Sequence, residues 1–208
     1  MSFKRLLSGL LALALLSACD PGGTTSGSVP NVFTDRVQNY SGTGADLEVL
    51  VVDLLQGAGS GTLSSSGAFA LSLGTPPAGL PRVADLLVAS PLETDHGNAL
   101  IADNVIITGD SGFLIPASRA ETARSAIDLV EVELQPGDAV GRLVYVDNPV
   151  RIHGQVFDDG LSISVDMRLQ EGWNLVVQRV TSVTGTTVNV RARAEGLKDS
   201  GLRWFYVD

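Results

Sequence analysis

The sequence predicts an all-β fold, an antiparallel β-sandwich of one large or two small lobes with at most one or two short helices. Three observations favour this fold. Apolar and polar residues alternate with a period of two over several runs, which is typical of strands with one buried face. Gly, Asp, Asn and Pro separate these runs at intervals of about 8–12 residues. No heptad pattern and no repeat of about 20–50 residues is present, which argues against coiled coils and solenoids.

The clearest strand is predicted over residues 161–169, where polar side chains alternate with apolar ones. The apolar set is Leu161, Ile163, Val165, Met167 and Leu169. Strict alternation over this length is typical of an antiparallel strand that buries one face. Residues 188–194 repeat the pattern, with valine and alanine on one face and asparagine and arginine on the other.

Further runs also predict strands. Residues 47–55 are apolar on both faces apart from Glu48 and Asp53, so a central strand is expected there. Three other runs are predicted to bury one face each, and these faces consist of Phe69, Leu71 and Leu73, of Val130, Val132 and Leu134, and of Leu202, Trp204 and Tyr206.

Turn residues separate these strands. Asp158-Asp159-Gly160 predicts a hairpin between strands near 150–157 and 161–169, because an Asp-Gly pair adopts the backbone angles of a tight turn. Gly185 predicts a turn between 173–183 and 186–194. Further turns are predicted at 110–112, 136–138, 147–149 and 199–201.

Two segments have helical features. Ser118 and Glu121 have the spacing of a capping box, and a short helix is predicted over 117–126. Residues 82–88, which follow Pro81, are compatible with either a helical turn or a strand.

The N-terminus has the organisation of a secretion signal. Lys4 and Arg5 precede a predominantly apolar run over residues 6–16. A basic start and an apolar run of about a dozen residues predict a signal peptide. The run is shorter than the roughly 20 residues that a membrane-spanning helix requires.

The sequence Leu16-Ser17-Ala18-Cys19, which ends this run, resembles the lipobox of bacterial lipoproteins. The resemblance implies that the Cys19 thiol is diacylated, that the chain is cleaved before Cys19, and that lipid tethers the mature protein to a bacterial membrane. Two or more acyl chains anchor a protein stably. Because Cys19 is the only cysteine, no disulfide is expected. An extracytoplasmic location follows, with the choice between inner and outer membrane left open.

These features divide the chain into three parts. Residues 1–18 are predicted as the signal peptide with its signal helix. Residues 19–30 are predicted as the lipidated cysteine and a flexible tether, because 20–28 contain no large apolar side chain that could offset chain entropy. Residues 31–208 are predicted as the β-rich domain, whose internal boundary, if it has two lobes, lies near 115–127.

Residues 37–73 resemble the opening of transthyretin-like or carboxypeptidase-regulatory-like β-sandwich modules. Gly67, Phe69 and Leu71 match the Gly-x-Phe-x-Leu strand of those modules. The chain as a whole resembles uncharacterised all-β envelope lipoproteins. Both resemblances imply a fold rather than an activity.

The acidic balance argues against nucleic acid as a partner. The chain has 14 basic and 23 acidic residues, and cleavage before Cys19 removes two basic ones, so the formal charge changes from −9 to −11. A surface of this net charge repels nucleic acid and anionic lipid headgroups.

Candidate catalytic residues are few. Gly109-Asp110-Ser111-Gly112 resembles the nucleophile loop of chymotrypsin-like proteases, but His96 stands only 15 residues upstream and Phe113 replaces the second glycine. The motif is therefore interpreted as a turn. No Gly-x-Ser-x-Gly elbow and no phosphate-binding loop is present.

Metal ligands are also sparse. Glu93, Asp95 and His96 form a small cluster that could ligate a divalent metal with help from Asp103, although zinc sites need three or four ligands of defined geometry. His153 is expected on the polar face of a strand. The turns at 147–148 and 158–159 could each give calcium two ligands of the six to eight it needs. No metal and no cofactor is predicted.

Aromatic platforms for sugar binding would require exposed tryptophans, and core packing is the preferred interpretation of Trp173 and Trp204.

The leading functional hypothesis is a non-catalytic, lipid-anchored envelope protein, a structural or partner-binding β module for an envelope protein or surface polymer. The alternative is a ligand- or metal-binding lipoprotein that serves transport, and a hydrolase is the third hypothesis.

Overall fold

The computed structural model describes residues 27–51, 56–76, 80, 93–94, 99–102, 104–107, 112–128, 132–158 and 160–208. These residues form two β-sheets and one short helix, α1 (Ala120–Asp128), which confirms the all-β sandwich. In chain order the strands are β1 (Val32–Arg36), β2 (Ala45–Val51), β3 (Gln56–Leu63), β4 (Ala68–Leu73), β5 (Glu93–Thr94), β6 (Ala99–Ala102), β7 (Asn104–Ile107), β8 (Phe113–Ala117), β9 (Ala139–Val146), β10 (Val150–Asp158), β11 (Leu161–Leu169), β12 (Gly172–Thr184), β13 (Thr187–Ala194) and β14 (Arg203–Val207).

The first sheet has the strand order β1-β4-β3-β2-β7-β8-β14, and all its neighbouring strands are antiparallel. The predicted central strand is confirmed over residues 47–51, since β2 lies between β3 and β7, whereas residues 52–55 lie outside the described part of the chain. The sheet curves strongly, because Val37 at the end of β1 forms a bridge to Trp204 of β14.

The second sheet has the order β6-β9-β12-β13-β11-β10-β5. It joins the first sheet at one corner, where β8 and β9 share the single pair Ala117–Val140. Only three residues connect β9 to β10, although three strands lie between them in the sheet, so this sheet curls as well. It departs from the antiparallel prediction in one place, because β11 and β13 run parallel.

The parallel pair results from an open hairpin. Strands β11 and β12 are joined by two residues, but they do not pair along their length, and β13 returns between them. Strand β13 ends at Ala194, which faces Val176, so the first residues of β12 extend beyond it. Beyond Ala194, the edge of β12 is left open, and we call this open edge the notch. The backbone groups of β12 in the notch need partners, because unpaired buried amides are costly.

The chain segment 27–29 fills the notch. The Leu175 N–H donates to the Gly27 carbonyl and the Val29 N–H donates to the Trp173 carbonyl, both at 2.8 Å. A Cβ on Gly27 would lie 2.5 Å from the Cβ of Ala194, so only glycine fits there. Val29 is buried in the core. Residues 27–29, which fall within the segment 19–30 of the sequence analysis, therefore pair with β12.

The core lies in three clusters. The main cluster fills the space between the inner face of the first sheet and one face of β9 and β12, where Trp173 and Trp204 are almost fully buried. The opposite faces of β9 and β12 join β10, β11 and β13 in a second cluster inside the curl of the second sheet. A third cluster lies under α1 and contains Phe205 and Val207. Strands β9 and β14 and residues 173–177 of β12 are consequently buried on both faces.

Most one-sided strands were predicted correctly. Ile163, Val165, Met167 and Leu169 of β11 are at most 2% exposed. Phe69, Leu71 and Leu73 of β4 are buried in the main cluster. The turns at 136–137 and 185–186 and the hairpin between β10 and β11 are also present.

Two local predictions were wrong. Residues 132–135 form a loop rather than part of a strand over 130–134, because the Glu133 carbonyl accepts a hydrogen bond from Arg119 and the Gln135 N–H donates one to Asp138. Helix α1 begins at Ala120 without a capping box, because the Ser118 hydroxyl accepts the Ala139 N–H instead. Residues 82–88 lie outside the described part of the chain.

The side chain of Asn174 closes the link between β11 and β12. It is fully buried, its oxygen accepts the Gln170 N–H, and its amide donates to the carbonyls of Gln170 and Gly172.

We expect N174A to lower the free energy of unfolding by about 2–3 kcal/mol, because it leaves the backbone groups of Gln170 and Gly172 without these partners. Urea denaturation measures this change. N31A, at an exposed asparagine, is the control and should change stability by less than about 0.5 kcal/mol. A neutral N174A would contradict the role of this side chain.

Candidate functional surface

The residues of the predicted protease-like loop and of the acidic cluster fall mostly outside the described structure. Ser111, His96, Asp95 and Asp103 are among them. Glu93 lies in β5, where its backbone is in register with His153 of β10.

His153 lies where the sequence predicts it, on the polar face of β10. It is half-buried and stands opposite Asp166 of β11. The carboxylate of Asp166 accepts hydrogen bonds from Arg151, at 3.2 Å from Nε and 3.1 Å from Nη2. The histidine therefore belongs to a surface of alternating charges.

Trp173 and Trp204 pack in the core, as predicted, and are 2% and 1% exposed. The indole N–H of Trp173 donates to the Gly74 carbonyl at 2.8 Å, and Trp204 stacks on Phe33. Neither ring is available as a platform for a sugar.

The acidic turns do not converge on a metal site within the described ranges. No group of three or more metal-ligating side chains occurs among the described residues. Asp158 is exposed at a hairpin tip and Asp147 is half-buried in the turn between β9 and β10. In the same part of the chain, no helix has the length and apolarity that crossing a membrane requires.

The most distinctive surface is the outer face of β10, β11, β13 and β12, which we call the arginine face. Side chains on this face alternate with those of the second core cluster, and cross-strand register places its basic residues on one side of the sheet. Its members among the described arginines are Arg151, Arg168, Arg179, Arg191 and Arg193.

Arg151 and Arg179 have carboxylate partners on the same face. Arg151 pairs with Asp166 at 3.1 Å, and Arg179 pairs with Glu195 at 3.3 Å and also donates to the Ser200 carbonyl. Arg168 and Arg191 are exposed and make no ion pair with any described residue. Among the side chains that the structure describes on this face, five arginines stand with two carboxylates, those of Asp166 and Glu195, on a protein whose formal charge is −9.

An exposed aromatic ring lies at the far end of the arginine face. Phe157 follows Arg151, His153 and Gln155 along the outer side of β10 and is 71% exposed. It stands opposite Ser162 of β11. It is the most exposed large apolar side chain among the described residues.

The sequence analysis did not identify this surface. The outward position of the arginines in 188–194 was visible from the alternation, but the pairing of β13 with β11 was not. Because that pairing is parallel and non-local, nothing in the spacing of the residues indicated that Arg168 and Arg191 lie on one face.

A shallow depression on the first sheet offers a second concave region. It encloses about 560 Å³ above β1, β4 and β3 and is lined by short side chains that include Thr34, Thr62 and Ala70. Its lining contains one carboxylate, Asp35, and no histidine, lysine or arginine.

The most strongly paired titratable groups are structural. Arg119, before α1, donates to both oxygens of Asp138 at 2.6 Å, and Asp138 is 6% exposed. Burial raises the pKa of Asp138, but hydrogen bonds from Arg119 and the Gln135 N–H outweigh it, so this pKa is lower than the ordinary value. The hydrogen bond to Asp138 likewise raises the pKa of Arg119. The pair joins the start of α1 to the start of β9.

The chain matches no protein-family model, no curated protein and no solved structure.

We expect D138N to destabilise the fold by about 2–3 kcal/mol at pH 7, because it leaves Arg119 without its charged partner at a partly solvated site. A lowered carboxyl pKa stabilises the fold at pH values above the unfolded value of about 3.9, and this contribution is lost as pH falls through the folded pKa. The difference between D138N and the wild type should therefore shrink in acid. Thermal unfolding across pH measures it, with the exposed D199N as control. A difference that does not change between pH 7 and acid would contradict this assignment.

Proposed function

We propose that the protein is a non-catalytic, lipid-anchored envelope protein that acts as a partner-binding β module. The observation that carries this proposal is Leu16-Ser17-Ala18-Cys19 after a basic start and a short apolar run. The chain's only cysteine occupies the position that acylation requires. The mature protein would begin at Cys19 and lie outside the cytoplasm.

The position of Gly27 supports this proposal. Eight Cα–Cα steps separate Cys19 from Gly27, so the cysteine lies within about 29 Å of the fold even if the chain is fully extended. Gly27 itself is held by hydrogen bonds to β12. A lipid on Cys19 would therefore keep the β domain next to the membrane surface.

The filled core supports a binding role over catalysis. Both tryptophans and the apolar faces of the long strands are packed against one another. The polar side chains with the most contacts, Arg119 and Asp138, hold a helix in place. The arginine face is the described surface with the chemistry to recognise a partner.

Mass spectrometry of the membrane-associated protein tests the anchor. We expect the wild-type chain to begin at Cys19 with acyl chains on that residue, and C19S to incorporate no labelled fatty acid. S17A is the matched control, because it preserves a small residue in the lipobox and should remain acylated. An unmodified Cys19 thiol in the wild-type protein, with residues 1–18 still attached, would refute the proposal.

A further inference from the structure

The arginine face lies beside the point where the anchored chain enters the fold. Arg151 and Arg168 stand opposite each other, one residue from the ends of β10 and β11, and Arg193 adjoins Ala194, against which Gly27 packs. Since Cys19 lies within about 29 Å of Gly27, these three guanidinium groups are near any membrane that holds the cysteine.

The end of the domain at Gly27, which we call the pole, contains the turns between β9 and β10 and between β11 and β12. This pole is less suited to contact with an anionic membrane than the arginine face. The turns at this pole carry the carboxylates of Asp147 and Glu171. The arginine face, which begins next to this pole, carries five arginines and the carboxylates of Asp166 and Glu195 among its described side chains. Electrostatics therefore favours a domain that lies on its side, with this face towards negative charge.

Phe157 extends the same contact. It projects from the face that bears Arg151, six residues or roughly 20 Å further along β10. Arginines combined with an exposed aromatic side chain are typical of surfaces that bind at the headgroup level, where the ring enters the acyl boundary. The exposed position of Phe157 is explained by such a contact.

We propose that the arginine face and Phe157 dock on the anionic phospholipid surface of the membrane that holds Cys19. The proposal rests on the lipid anchor inferred above. It also corrects the expectation from net charge that anionic headgroups repel this chain, because the basic residues are segregated on one face. Headgroup phosphates pair with the guanidinium groups, and the anchor raises their effective concentration at the face.

The test uses the full, lipid-bearing chain in vesicles of phosphatidylcholine, with or without phosphatidylglycerol. Both native tryptophans are buried, so F157W introduces a tryptophan whose emission reports on this face. We expect its emission maximum to shift to shorter wavelengths, by about 10 nm, only in vesicles that contain phosphatidylglycerol, and brominated lipids to quench it. V32W, at a site 65% exposed on the first sheet, is the matched control and should not respond.

Charge variants test the electrostatic part. R168S/R191S should reduce the shift of F157W at least threefold, whereas R124S/R203S, which removes two exposed arginines elsewhere, should leave it unchanged. High salt should abolish the shift, because it screens exposed charges. Thermal unfolding of each variant verifies that the fold is intact.

Flotation separates the two proposals. If the protein floats with vesicles but F157W does not respond to phosphatidylglycerol, docking is refuted and the anchor stands. An equal shift in neutral vesicles refutes the role of the arginines. A shift caused by soluble polyglutamate but not by phosphatidylglycerol would identify an acidic polypeptide as the partner and refute the membrane contact. If the protein does not float at all, both proposals fail.

Discussion

The structure depends on the enclosure of residues 173–177 of β12. This strand packs Trp173, Leu175 and Val177 against the first sheet, while Val176 faces the opposite core cluster. Its two edges are paired with β9 and with β13, and segment 27–29 takes the remaining edge where β13 ends. Because a buried strand must satisfy every backbone group, the early end of β13 requires another segment in its place, and this requirement fixes where the N-terminal part of the chain meets the fold.

Sequence patterns predicted local structure well and long-range pairing poorly. Alternation located β11 and β13 and identified their buried faces, since one-sided burial leaves a period of two. The insertion of β13 between β11 and β12 left no such trace, because register and neighbour choice depend on contacts between distant residues. The same limit explains why segment 27–29 was assigned to the tether. Gly27 and Ser28 have the composition of a linker, and only the proximity of Ala194 shows why glycine is needed there.

The candidate surface illustrates the difference between net charge and its distribution. The formal charge of −9 describes the whole chain, yet five arginines share one sheet face. Composition alone indicated repulsion from all anions. The fold separates the charges instead, with Asp138 and its arginine partner committed to structure and Arg168 and Arg191 left exposed. The charge of this surface therefore follows from topology, which places outward residues of non-consecutive strands side by side.

The contact between Gly27 and Ala194 also constrains the order of assembly. Residues near the start of the domain can contact their partners only after almost the whole chain has been synthesised. Val37 likewise can pair with Trp204 only at that stage. Contacts of such long sequence separation form slowly, because loop closure costs entropy before pairing compensates for it. The N-terminal end, which leaves the ribosome first, is thus fixed late.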